Sequence, residues 1–143
     1  MFIGEYRHTI DEKRRLAIPS KMRKQLGKEA VLTRGLDGCL ALYPMQEWKK
    51  ESEKLSRIPS SSPEGRAYAR IMLAGADQVS FDSLGRILVP EYLAQYAALQ
   101  KNVVIGGLNT RLEIWDEGRW DEYKKQTEGS VEEFASKLAD QGI

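Results

Sequence analysis

The sequence predicts an α+β fold in which one small unit, β-β-α-β-β-α in outline, occurs twice, with additional helices around it. Three observations predict this. The chain repeats itself at an offset of about 71 residues. Short apolar strands alternate with Pro-started helices inside each copy, and turn-forming residues stand at matching places in both. With 143 residues the length fits one domain or two very small ones, enough to bury a core.

His8–Pro19 aligns with Val79–Pro90 at an offset of 71, so that Asp11 meets Asp82, Arg15 meets Arg86 and Pro19 meets Pro90. From there the offset is 72. Val31-Leu32 meets Val103-Val104, Gly35 meets Gly107, Leu40–Tyr43 meets Leu112–Trp115, and Trp48 meets Trp120. A single inserted residue in an otherwise preserved order marks duplication with a loop adjustment.

Each copy opens on an alternating strand, Tyr6–Ile10 or Gln78–Phe81, that runs into Asp-x-x-x-Arg. Aspartate hydrogen-bonds its own backbone two residues on and so favours a turn; Gly85 supplies a positive φ there in copy two. A short apolar strand follows, Leu16–Ile18 or Ile87–Val89. Pro19 or Pro90 then opens a helix at its first position. Met22 and Leu26 give that helix its apolar face in copy one, and Tyr92, Leu93 and Tyr96 in copy two. Strands over Ala30–Thr33 and Asn102–Ile105, a Gly-marked turn, a strand ending in Tyr43 or Trp115, and a helix with Trp48 or Trp120 complete the unit.

Two segments lie outside the repeat. After the linker Arg57–Ser62, Ser62-Pro63 caps a helix that carries Ala67, Ile71 and Ala74 on one face. Near the end, Ser130 and Glu133 read as a capping box. The stripe Val131, Phe134, Ala135, Leu138, Ala139 behind it reads as an amphipathic helix whose apolar face must dock somewhere. The division expected is repeat 1 over 5–48, linker and connecting helices over 49–75, repeat 2 over 76–120 and a C-terminal helical segment over 121–143.

Composition narrows the function. Apolar residues make up 41% and charged residues 30% of the chain, as in soluble globular proteins. No apolar run is long enough for a membrane span, and MFIGEYRHTIDEKRR does not read as a signal peptide. One Cys and one His leave no disulfide framework and little for a zinc site. These features point to the cytoplasm. The net charge of +1 hides an asymmetry: residues 1–72 carry 15 Lys and Arg against 9 Asp and Glu, residues 73–143 carry 7 against 12. A basic front half can meet a polyanion although the whole is nearly neutral.

The doubled Asp-x-x-x-Arg hairpin, the Pro-started helix and the stretch VLTRGLDGCLALYP resemble the MraZ family, bacterial transcriptional regulators of the division and cell-wall gene cluster within the AbrB/SpoVT-like swapped-hairpin group. The resemblance covers essentially the whole chain. It implies two AbrB/SpoVT-like swapped-hairpin β-barrel units forming an intramolecular pseudo-dimer. It also implies a ring-shaped homo-oligomer, binding to double-stranded promoter DNA with short direct repeats, and a place on the nucleoid. One residue departs from the pattern. The family has Gly before the motif arginine, as at Gly85, where copy one has Arg14. A positive φ there costs a non-Gly residue roughly 1–2 kcal/mol, so either the first turn differs or Arg14 is held in strain.

Lys13, Arg14 and Arg15 stand in a row at a hairpin tip and are the expected primary DNA contacts, with Arg7 and Lys21 peripheral. Arg and Lys make most phosphate contacts, and Arg also pairs bidentately with guanine. Arg86 is the copy-two counterpart, but Ser83-Leu84-Gly85 bring no flanking cations. The alternative for Arg15 and Arg86 is purely structural: each bridges back to its Asp and locks the turn. Asp11 and Asp82 read as turn-formers rather than acids, and Cys39 as a buried small hydrophobe. Trp48 and Trp120 read as packing residues. No nucleotide-binding, zinc-protease or nucleophile-elbow motif occurs, so no catalytic residue, cofactor, metal or small-molecule substrate is expected. The competing functional reading is a ring-forming module that binds a protein partner instead of DNA.

Overall fold

Each copy forms its elements in the expected order, yet neither copy builds its sheet alone. In the computed structural model, which describes residues 1–143, the first half contains β1 (Glu5–Thr9), β2 (Arg15–Ala17), α1 (Ser20–Leu26), β3 (Glu29–Arg34), β4 (Leu40–Pro44) and α2 (Met45–Ser56). Helix α3 (Pro63–Ala69) runs into a π turn over Arg70–Ala74. The second half repeats the pattern with β5 (Asp77–Ser80), β6 (Arg86–Leu88), α4 (Glu91–Tyr96), β7 (Asn102–Leu108), β8 (Arg111–Asp116) and α5 (Glu117–Thr127), and α6 (Val131–Asp140) ends the chain.

The large sheet is antiparallel throughout, in the order β1-β7-β8-β4-β3-β5. The first strand of each copy pairs with the third strand of the other: Tyr6 lies opposite Ile105, and Val79 opposite Ala30. The copies meet again at the centre, where Leu42 faces Leu112. Exchanging the labels of the two copies gives the same order read backwards.

Strands β2 and β6 form a separate two-stranded ribbon, Arg15 opposite Leu88 and Leu16 opposite Ile87. The Ile18 N–H donates to the Gly85 carbonyl (3.1 Å) and the Val89 N–H to the Arg14 carbonyl (2.8 Å), which ties each hairpin to the other. The expected closed barrel is not formed. Both sheets are open, with β1 and β5 as free edges of the larger one. The ribbon strands are three residues long and stop before Pro19 and Pro90, which have no N–H to continue a ladder.

The main core lies between one face of the large sheet and a cover made of the ribbon, α1 and α4. It takes matching residues from both copies: Leu16 and Ile87, Ile18 and Val89, Met22 and Leu93, Leu40 and Leu112, Leu42 and Ile114. Helices α2 and α5 cover the other face, each over strands of its own copy. There Trp48 packs on Tyr43 (5.6 Å between ring centroids) and Trp120 on Trp115 (5.3 Å), in the packing role expected.

Several local expectations shift. Pro19 and Pro90 sit at the N-cap in extended conformation, one residue before the helix. In α4 Leu93 is buried, but Tyr92 and Tyr96 are partly exposed. Their rings flank the Arg34 guanidinium, and their hydroxyls donate to the Gly75 and Gly35 carbonyls (3.0 and 2.7 Å). Ser62 caps α3 as read, accepting the Gly65 N–H. The stripe Ala67, Ile71, Ala74 does not become its buried face, because the π turn rotates the chain and buries Met72 instead. Thr33 Oγ1 and Arg34 Nη1 donate to the Met72 and Ile71 carbonyls there. Ser130 makes no cap bond, since a 3₁₀ turn over Glu128–Ser130 precedes α6.

Because both copies share one core, Ile87→Ala is expected to lower stability by about 2–5 kcal/mol in one cooperative urea transition. Two separate transitions, one per copy, would contradict the shared core.

Candidate nucleic-acid interface

The motif hairpins are built bond for bond alike. In the first, Asp11 Oδ1 accepts the backbone N–H groups of Lys13 (2.9 Å) and Arg15 (2.8 Å), and Oδ2 accepts Arg15 Nε (2.7 Å). In the second, Asp82 Oδ1 accepts the N–H groups of Leu84 and Arg86 (both 2.9 Å), and Oδ2 accepts Arg86 Nε (2.8 Å). The Arg14 and Gly85 N–H groups close the turns onto the Asp11 and Asp82 carbonyls. Both aspartates therefore titrate below the ordinary carboxylate range, held there first by the arginine backbone N–H and then by the guanidinium.

The turns need a left-handed residue before each arginine. Gly85 has φ +75° and Arg14 has φ +61°, so copy one keeps the geometry and Arg14 carries the strain. Its surroundings differ from those of Gly85 in a reciprocal way. Arg14 Nε donates to the Val89 carbonyl (3.0 Å), and Arg14 borders the same hollow as Ala94 of α4. At the other tip the Arg23 guanidinium, from α1, occupies the space a side chain on Gly85 would fill. A large residue on the turn thus faces a small one on the helix in one half, and the sizes are exchanged in the other. Copy two does have a cation at its tip, supplied by copy one. Sequence reasoning left Arg23 out of the site; the signal was the paired departure of Arg23 from Ala94 and of Arg14 from Gly85.

Alternation along the ribbon decides what faces outward. Leu16 and Ile87 are fully buried, so Arg15, Ala17, Arg86 and Leu88 occupy the opposite face. Arg86 Nη1 also approaches Asp11 Oδ2 (3.9 Å), so the two guanidinium groups converge on one carboxylate. The Nη nitrogens of Arg15 make no hydrogen bond within the chain. Lys13 at the first tip and Lys21 on α1 are exposed. Leu84 at the second tip is 67% exposed and Leu88 55%.

Arg7 is not brought to this face. It projects toward α5, where it pairs with Glu117 (3.2 Å) and Asp121 (2.9 Å), and with Glu5 on its own strand. These carboxylates raise its pKa further. It fastens β1 to a helix of the other copy. Cys39 is fully buried, and burial pushes its thiol up to about 12, which leaves no thiolate for chemistry. No three His, Cys, Asp or Glu side chains converge as metal ligands, and no helix is long and apolar enough to cross a membrane.

Fold and site define a duplicated α+β protein that displays an arginine-bearing β-ribbon. The family model described as "MraZ protein, putative antitoxin-like" matches twice, over residues 1–71 and 72–141. The proteins called transcriptional regulator MraZ are similar along the whole length. Those of Natranaerobius thermophilus (47% identity over 140 residues, 98% of each chain), Pediococcus pentosaceus and Halothermothrix orenii (each 48% over 143 residues, all of both chains) are examples. The chain belongs to the MraZ family.

The Asp–Arg locks carry a pH dependence of definite sign. A carboxylate whose native pKa is lowered stabilises fully above its unfolded value, about 3.9 for Asp, and loses that stabilisation as pH falls through the native value. NMR titration is expected to place the Asp11 and Asp82 midpoints below ordinary aspartate. Arg15→Ala should move the Asp11 midpoint upward and leave Asp82 in place. An unchanged Asp11 midpoint would dispose of the lock.

Proposed function

We propose that this chain is a sequence-specific DNA-binding transcriptional regulator that lays its β2–β6 ribbon in the major groove. The observation that carries the reading is the pair of locked arginines on the outward face. Each spends Nε on its aspartate, so the ion pair and a base contact use different atoms of the same guanidinium. The structural and DNA-binding readings of Arg15 and Arg86 are then one reading: the aspartate holds the fork still, which lowers the entropy lost on binding. The major groove admits a two-stranded ribbon, and Arg pairs bidentately with guanine there. Lys13, Lys21, Arg23 and the free end of Arg14 serve the phosphates, and Arg7 serves the fold.

In this reading residues 5–48 and 76–120 are the two working units, residues 49–75 connect them, and residues 121–143 serve assembly. The exchanged first strands are those of a swapped-hairpin pseudo-dimer. Copies join in a ring, engage short direct repeats in the promoter of the division and cell-wall gene cluster, and work in the cytoplasm at the nucleoid. Linked weak sites raise total affinity, and ring subunits that all point the same way suit direct rather than inverted repeats.

Gel shifts on repeat-bearing promoter DNA test this. Arg15→Ala and Arg86→Ala should each weaken binding about 5- to 150-fold, the range for a lost bidentate base contact. Lys13→Ala should lower the salt slope by about one, and Lys125→Ala, on the exposed side of α5, should do neither. Equal effects of Arg15→Ala and Lys125→Ala sink the site. No shift with any duplex by a protein that still assembles favours the protein-partner module instead.

Leu84 and Leu88 suit thymine methyl groups. Replacing thymines of the protected site singly by deoxyuridine, which lacks that methyl, should weaken wild-type binding about fourfold at one or two positions. Leu84→Ala or Leu88→Ala should be insensitive to that exchange. If both variants keep the full wild-type sensitivity, these leucines do not read the base.

A further inference from the structure

Arg14 and Arg23 stand at equivalent places at the two ends of the ribbon. The repeat aligns Arg14 with Gly85 and Arg23 with Ala94. At the junction of the first hairpin with α4 the guanidinium comes from the turn: Arg14 borders a hollow of about 390 Å³ that Ala94 also lines. At the junction of the second hairpin with α1 it comes from the helix: the Arg23 guanidinium lies over Gly85. In each pair the small residue is buried and the arginine half-buried. Exchanging the two copies preserves the sheet order read backwards, and the same exchange carries one junction onto the other. A cation therefore stands at both junctions, although neither arginine aligns with an arginine. Arg15 and Arg86 are ion-paired to Asp11 and Asp82, whereas neither junction arginine pairs with a carboxylate. Arg14 spends only Nε, on the Val89 carbonyl (3.0 Å), which leaves its terminal nitrogens free.

We propose that each junction is a phosphate-binding site fixed by its place rather than by the residue that fills it, and that the two together clamp one phosphate on each strand of the duplex. The inference rests on the ribbon reading of the proposed function and deepens it. The sugar–phosphate framework of a duplex is two-fold symmetric across the groove whatever its sequence. Contacts to phosphate fix register and orientation and carry no sequence information. The clamp must therefore match in the two halves, whereas the hairpin tips that meet bases are free to differ. Space allows one guanidinium per junction, since Arg23 already fills the volume that a side chain on Gly85 would take. The chain keeps the cation in both halves and changes only the element that supplies it.

The test moves the cation within its junction in the full chain. Fluorescence anisotropy with repeat-bearing promoter DNA and with a scrambled duplex gives the slope of log affinity against log salt. Arg14→Gly and Arg23→Ala should each lower that slope by about one on both duplexes. Arg14→Gly also removes a strained left-handed residue, so its loss of binding is not a loss of fold. Arg14→Gly/Ala94→Arg and Gly85→Arg/Arg23→Ala return the guanidinium from the opposite element and should recover the wild-type slope. Arg14→Gly/Gln126→Arg restores the net charge on α5, across the sheet from the ribbon, and should not. Circular dichroism and urea midpoints report the fold of each variant. Should Gly85→Arg/Arg23→Ala fail to fold, the variant with Ala94→Arg, which carries no strained turn, decides. Single variants with unchanged slopes, a folded relocation variant no better than its single parent, or recovery through Gln126→Arg overturns the proposal. Any of these beside normal wild-type binding removes the junction sites and leaves the ribbon reading standing. A wild-type chain that binds no duplex ends both.

Discussion

The ribbon formed by β2 and β6 is the constraint from which the rest follows. Each strand has only three residues, and an isolated pair of such strands is not stable in water. It exists because Leu16 and Ile87 on its inner side are fully buried against strands drawn from both copies. Strict alternation then leaves Arg15 and Arg86 on the outer side. The burial that holds the two copies together and the display of the arginines are therefore one event. A register slip of one residue would turn the arginines inward and the apolar residues out.

The two halves are related but not interchangeable. The left-handed turn before Arg15 costs Arg14 roughly 1–2 kcal/mol relative to glycine. Its bond to the Val89 carbonyl (3.0 Å) offsets about 0.5–1.5 kcal/mol of that. The remainder is small only because Ala94 leaves room. At Gly85 the opposite arrangement holds, with Arg23 resting where a side chain would stand. Each turn residue fits the helix residue it faces in the other copy, so neither departure makes sense alone.

Much of this was legible in the residues. The repeat placed the strand ends within a residue, except that β7 runs on to Leu108, three residues past the expected Ile105, and the doubled Asp and Arg located both hairpins. What sequence could not supply was partnership across the copies. Alternation in Tyr6–Ile10 marks a strand but not that its neighbour is β7, because pairing is decided by which apolar faces share a core. Arg7 read as a cation near the hairpin, whereas α5 brings Glu117 and Asp121 to it from the far end of the chain. The closed barrel failed for a readable reason, the two prolines that end the ribbon strands. The helix after Ser62 lost its expected face to a π turn, which periodicity counted at 3.6 residues does not detect.

Pseudo-symmetry and direction meet at the hairpin tips. A ribbon with identical tips would look the same after a half-turn and would read a palindrome as well as any other arrangement. Here one tip ends in Lys13 and the other in Leu84, and the outward positions equivalent between the copies are Ala17, opposite Arg86, and Leu88, opposite Arg15. In the proposed reading the first tip offers Lys13 to phosphate, and the second offers Leu84 to a base edge beside the Arg23 guanidinium. A half-turn about the ribbon exchanges unlike groups, so on a duplex bound as proposed one orientation is favoured over its reverse. Directionality is set within each chain, and in the proposed assembly, whose subunits all point the same way round, it would pass from one site to the next.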